Sequence, residues 1–221
     1  MTEYTDHHGP EGLRTRGTII VVPGRGETRE TYTRLGRRLA ADAYRVRVVD
    51  APDIGSPDAD APGVDGLNAQ LARFDARLTA AGDGTAGEDG VVRPVVLVGA
   101  DTGALAIAAL LGREDTPAAV RPDAVVLAGL PGHAATAGGT WADELDVRTS
   151  CPAHRGRLTD DAEVRRGSLS EPVPDALLSA AYDSEVEVPV LILAGDSDPL
   201  ADRDALVRTA KSLPRARLSI V

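Results

Sequence analysis

The chain has 221 residues, 43% of them apolar, and a formal net charge of −10. That length supports one domain with a full core, and the acidic balance without a basic patch argues against nucleic acid or an anionic membrane as partner. Aromatic residues make up only 3%, so Val, Leu, Ala and Ile must fill the interior.

Residues 1–16 are polar and read as a flexible N-terminal lead, with His7 and His8 as solvated side chains. They hold no apolar signal segment, and no run in the chain approaches membrane-spanning length, so the expected location is cytoplasmic. Cys151 is the only cysteine, which leaves no disulfide framework and no thiolate metal site; no cofactor is expected.

The remainder, 17–221, reads as a single α/β domain. Gly17–Val22 is the first strand, ending in Pro23-Gly24-Arg25-Gly26-Glu27, and a helix follows from about Thr28 to Asp42. Arg45–Asp50 is the second strand. After a turn and a Pro-rich loop over 57–63, Val64, Leu67, Leu71, Phe74 and Leu78 mark one face of a helix ending near Gly82. An acidic loop leads to the strand Val95–Val98, the sequence Gly99-Ala100-Asp101-Thr102-Gly103, and an Ala/Leu-rich helix. Ala124–Ala128 is the next strand, closing at Gly129–His133. From His133 to about Val173 the periodicity is lost, which fits a small cap inserted over the strand ends. A short helix near Pro174–Tyr182, a strand at Val188–Ala194, a helix near Asp202–Leu213 and a strand at Arg217–Val221 complete the chain. Apolar strands alternating with helices specify a mostly parallel sheet with helices on both faces. Such sheets hold ligands at the C-terminal ends of their strands, where every unusual loop here falls.

Asp101 is the first candidate. Between a strand and a helix, flanked by glycines that allow close backbone approach, its side chain is expected on a sharp turn facing a site. A carboxylate there can attack carbon and form an ester that water must cleave. The alternative is an acid that caps the following helix.

This strand–turn–helix resembles the nucleophile elbow of the α/β-hydrolase superfamily, in the carboxylate form of haloalkane and fluoroacetate dehalogenases and soluble epoxide hydrolases. Three further segments in the right order carry the same likeness. The resemblance implies oxyanion donors at Thr102, after the nucleophile, and at Arg25, with Pro23 where a histidine is usual. Gly24 and Glu27 would then border the substrate pocket. In Gly195-Asp196-Ser197-Asp198-Pro199 the resemblance implies Asp198 as the triad acid; turn formation is the alternative for both aspartates. Asp50-x-Pro52-x-x-Gly55 matches a scaffold turn, with Asp53 in place of a glycine.

The family places its histidine base after the last strand, and this sequence runs to Val221 at the end of that strand. The reading is therefore a hydrolase for a small ester- or alkyl-type substrate, with turnover impaired and one sheet face short of its final helix. His133, just past the fourth strand, is the internal substitute considered first, and His154 in the cap the second. A turn histidine and a cap hydrogen bond are their ordinary roles. Trp141, His154 and Arg155 are expected as cap residues of the pocket, and Arg148, Arg155 and Arg157 would suit an anionic or polar substrate.

Two other classes remain open. One is a non-catalytic binding or interaction protein on the same scaffold, including a homo-oligomer formed through the uncovered sheet face. The other is a nucleotide binder, since Gly24-Arg25-Gly26 followed by Asp50 is part of a dinucleotide fingerprint; Arg29 stands where its third glycine belongs.

Overall fold

A computed structural model describes residues 4–54, 64–83, 91–113, 121–133 and 136–221. The Pro-rich loop at 57–63 and most of the acidic loop before residue 91 lie outside the described residues. Seven strands form one sheet: β1 (Tyr4–His7), β2 (Thr18–Val22), β3 (Arg45–Val49), β4 (Val95–Ala100), β5 (Ala124–Ala128), β6 (Val190–Ala194) and β7 (Ala216–Ile220). Their spatial order is β1-β3-β2-β4-β5-β6-β7, with β1 antiparallel to β3 and every other pair parallel.

The helices are α1 (Thr33–Ala41), α2 (Val64–Asp83), α3 (Thr102–Leu111), α4 (Trp141–Arg148), α5 (Pro152–Asp160), α6 (Asp175–Tyr182) and α7 (Arg203–Ser212). The helix expected from Thr28 is divided, a short 3-10 turn at Arg29–Tyr32 preceding α1. Elsewhere the helix and strand limits fall within two residues of the expected ones.

Helices α2, α3, α6 and α7 bury one face of the sheet. Phe74, Leu105, Ile107, Leu177 and Leu206 pack there against Ile20, Leu97, Leu127 and Ile192. Helix α3 is buried along nearly its whole length, which its Ala-rich sequence permits by bringing backbones close. The opposite face is covered over β2 and β3, where Tyr32 and Leu39 meet Ile19, Val21, Val46 and Val48. Beyond β4 on that face Val126, Leu191 and Leu193 are half-buried.

The N-terminal lead differs from its expected state. Tyr4–His7 pairs with β3 from Val49 back to Val46, and the cause is a buried charge. Arg47 has no exposed surface, donates from Nε to Asp6 Oδ1 at 3.0 Å, and lies 4.6 Å from the centre of the Tyr4 ring. Its guanidinium also donates to the Ala81 carbonyl of α2. An arginine so placed needs an anion, and β1 supplies it.

His7 closes the same edge over α1, its ring lying where any side chain on Gly36 would stand. Its Nε2 is buried without a hydrogen-bond partner. Burial, then the Arg37 charge, lowers its pKa from the usual 6.5, against smaller raising effects of Glu30 and Asp6. The folded state thus favours neutral His7, so this contribution to stability is present above pH 6.5 and is lost as pH falls below it. Denaturant unfolding below pH 6.5 is expected to show a decline in stability that shrinks in His7→Asn; an unchanged slope would count against the assignment.

Candidate active site at the strand ends

The parallel strands deliver four exit loops to one edge of the sheet. Gly129 N–H bonds to Leu193 O at 2.8 Å and Gly132 N–H to Leu200 O at 2.8 Å, tying the loops after β5 and β6 together. Asp101 N–H reaches Ala128 O at 3.0 Å, which extends the β4–β5 ladder to the turn itself.

Asp101 has φ 47° and ψ −120°, a backbone conformation costly for a residue with a side chain. It is maintained because its carbonyl accepts from Ala104 and Leu105 of α3, each at 3.1 Å. The flanking glycines are dictated by space. A Cβ at Gly99 would come 2.7 Å from Ala104 Cα, and one at Gly103 would come 2.4 Å from Pro23 O. The spacing read from the sequence as an elbow therefore has a steric cause.

The Asp101 side chain does not cap α3. Its carboxylate is taken instead by Arg25. Oδ2 accepts from Arg25 N–H at 3.0 Å and from Arg25 Nε at 2.9 Å, and Oδ1 accepts from Arg25 Nη2 at 3.0 Å. The Arg25 side chain is 6% exposed and that of Asp101 17%.

The cap holds Arg25 in turn. Arg25 Nη1 donates to Glu171 O at 2.8 Å, while Arg25 O accepts from Arg148 Nη2 at 2.9 Å and from Ser168 Oγ at 3.1 Å. Arg148 is buried in an ion pair with Glu144 at 2.7 Å and lies 3.7 Å from Glu27 Oε1. Glu27 Oε2 accepts from Gly24 N–H at 2.9 Å and Tyr32 OH at 2.6 Å. Burial, reinforced by Glu27, raises the Tyr32 pKa well above its usual value, so the phenol stays a donor.

A cavity of about 370 Å³ opens beside this cluster, lined by Gly24, Arg25, Glu27, Asp53, Thr102 and Arg165 among others. Thr102 is the first residue of α3 and is buried. Gly24, Arg25, Glu27 and Thr102 are thus brought to one site with Asp101 adjoining.

The remaining candidates fall outside the lining of this cavity. His133 is 60% exposed, pairs with Asp175 at 3.6 Å, and lines a separate groove of about 680 Å³ with Tyr182, Arg208 and Leu213. Its loop turns toward α6 and α7, so Asp101's partners do not include it. Asp198 Oδ1 accepts from Leu200 N–H at 2.9 Å, the bond of a turn former, with Oδ2 facing Gly129 at the end of β5. Trp141 packs on Leu145, Leu158 and Val164 in a small cap core and stacks with Arg166, away from the cavity lining. Arg155 pairs with Asp146 outside it. His154 is half-buried; burial lowers its pKa most, with Glu27 opposing and Arg34 and Arg148 adding to the effect, so it is held neutral.

The cap arginines expected to suit an anionic or polar substrate each have an acidic partner. Arg148 is held by Glu144, Arg155 by Asp146 and Arg157 by Glu30. Helix amphipathicity could not reveal this, because pairing depends on which segments meet. Asp50 is likewise occupied, by Arg29 at 2.9 Å, in the position where the dinucleotide reading needs a ribose acceptor. Sequence reasoning missed Tyr32, Glu144, Ser168 and Glu171. Only the Glu144–Arg148 spacing, one helical turn, was a visible signal.

No family model matches the chain, and no curated protein matches it. Solved structures do. The monoacylglycerol lipase of Paleococcus ferrophilus is 18% identical, over 99% of this chain and 87% of that one, with a TM-score of 0.67. A soluble variant of the Saccharomyces cerevisiae monoglyceride lipase, solved with a substrate analogue, is 16% identical over 98% and 80%, with a TM-score of 0.67. An α/β-hydrolase from Sphaerobacter thermophilus is 15% identical over 98% and 87%, with a TM-score of 0.60. With its seven-stranded, mostly parallel sheet among the described residues and these structural neighbours, the chain has the α/β-hydrolase fold.

Proposed function

We propose that this protein is a hydrolase that uses Asp101 as a covalent nucleophile on a small ester- or alkyl-type substrate, and that it turns over slowly. The observation that carries the reading is the bond from Arg25 N–H to Asp101 Oδ2 across a strained turn. Attack of Oδ1 on an acyl carbon, with loss of its alkoxide, gives an anhydride. When Oδ1 instead attacks an alkyl carbon, with loss of halide or opening of an epoxide C–O bond, Oδ2 becomes the carbonyl oxygen of the resulting ester. Water adding to that ester puts negative charge on Oδ2, where Arg25 N–H and Nε already point.

Two features slow the cycle. Oδ1 must first leave Arg25 Nη2, and an ion-paired carboxylate is a poorer nucleophile than a free one. Among the described residues, the partners of Asp101 and Asp198 include no histidine, so water meets the ester without an imidazole base. The second reading is a non-catalytic binding protein, favoured by that same Oδ1–Nη2 bond, which makes Asp101 a permanent counter-ion.

Intact-mass measurement after incubation with epoxides and activated esters separates the two. The hydrolase reading expects one added mass on the Asp101 peptide and slow product release. No mass on that peptide and no product would leave the binding reading.

A further inference from the structure

The arginines around the elbow are all engaged by acids, and the charge left facing the cavity is negative. Arg25 is paired with Asp101, and Arg165 with Glu171 at 3.1 Å. Arg148, 5% exposed, serves two carboxylates at once, Glu144 and Glu27. Glu27, Asp53 and Glu163 line the same cavity with Arg25 and Arg165, and Asp53 is paired with Arg77. Within the buried cluster three carboxylates (Asp101, Glu27, Glu144) stand against two guanidiniums (Arg25, Arg148). A surplus of one sign lining a cleft raises the local concentration of ligands of the opposite sign.

We infer that the cavity beside Asp101 takes a small electrophile bearing an ammonium group, and discriminates against one bearing a carboxylate. This rests on the reading of Asp101 as the nucleophile. An ammonium in the cavity meets Glu27, whose Oε1 is only loosely engaged by Arg148. A carboxylate there meets the same oxygen and finds its possible arginine partners already paired.

Three epoxides with one reacting group and different charge test this: glycidyltrimethylammonium, glycidol and glycidate. In each, Asp101 Oδ1 bonds to the terminal ring carbon, that C–O bond breaks, and the ring oxygen takes a proton from water. The protein carries Cys151→Ser to remove the exposed thiol. The rate read is adduct plus diol, less that of the same protein with Asp101→Asn, divided by the reagent's rate with acetate ion. The expected order is cation, then neutral, then anion, with steps of about tenfold. Glu27→Gln is expected to compress the range severalfold. Equal rates, or glycidate fastest, overturn the inference while leaving Asp101 as nucleophile. No Asp101-dependent reaction with any of the three overturns both.

Discussion

Asp101→Asn is expected to abolish covalent reaction with electrophiles, by about a thousandfold or more, and to lower stability by about 2 kcal/mol. The kinetic part follows because an amide oxygen is not an anionic nucleophile. The stability part follows because Arg25, 6% exposed, loses the charge that balances it. An asparagine can still accept the Arg25 amide, so the cost is below that of losing the pair entirely. For a domain of this length it corresponds to a fall in melting temperature of about 6 °C. The two readouts separate the readings of the site. A structural counter-ion predicts the stability loss with no reaction to lose; a nucleophile predicts both. Unchanged stability would show that the pair contributes little and would remove the first of the two reasons for slow turnover, leaving the lack of a histidine partner.

Asp6→Ala is expected to cost about 3 kcal/mol, with a fall in melting temperature of about 10 °C. Arg47 is wholly buried, and the carboxylate that accepts from its Nε would be gone, while its other contacts, the Ala81 carbonyl and the Tyr4 ring among them, stay in place. The pair itself is not the source of the stability, because burying both charges carries its own desolvation cost. Accordingly Asp6→Ala with Arg47→Met is expected to recover most of the loss. Chemical denaturation of the single and double variants checks this. A loss below about 1 kcal/mol in Asp6→Ala would mean that water reaches Arg47 through the β1 edge.

Both predictions depend on features with unequal visibility in the sequence. The turn at Asp101 was legible because its spacing is local, although only one of its two steric constraints is. Gly99 is confined by Ala104 of the adjoining helix, whereas Gly103 is confined by Pro23 O and Val22 O at the end of β2. The strands were legible for a similar reason, as continuous apolar runs have no other soluble use. The helix from Val64 showed its buried face in the spacing of Leu67, Leu71, Phe74 and Leu78, all nearly inaccessible to solvent.

The role of Arg25 was only half visible. Its backbone donor followed from the resemblance, but its side chain folding back onto Asp101 did not, because those residues lie far apart in the chain. The β1 strand was hidden by polarity. YTDH has no apolar run, and its place in the sheet comes from one aspartate answering a buried arginine on β3. His133 shows the opposite failure, in which position along the chain suggested chemistry and the local contacts gave an exposed ion pair.

By itself the sequence determined the alternation of strand and helix, the parallel sheet and the glycine-flanked turn that lifts Asp101 out of β4. These are set by hydrophobic period and by the spacing of glycines around one residue, both readable over a few positions, although the side chain excluded at Gly103 would meet β2. Tertiary structure alone decided which charges meet. A guanidinium can satisfy any carboxylate within reach, and only the folded packing of cap, elbow and β1 selects Asp101 for Arg25, Glu144 for Arg148 and Asp6 for Arg47.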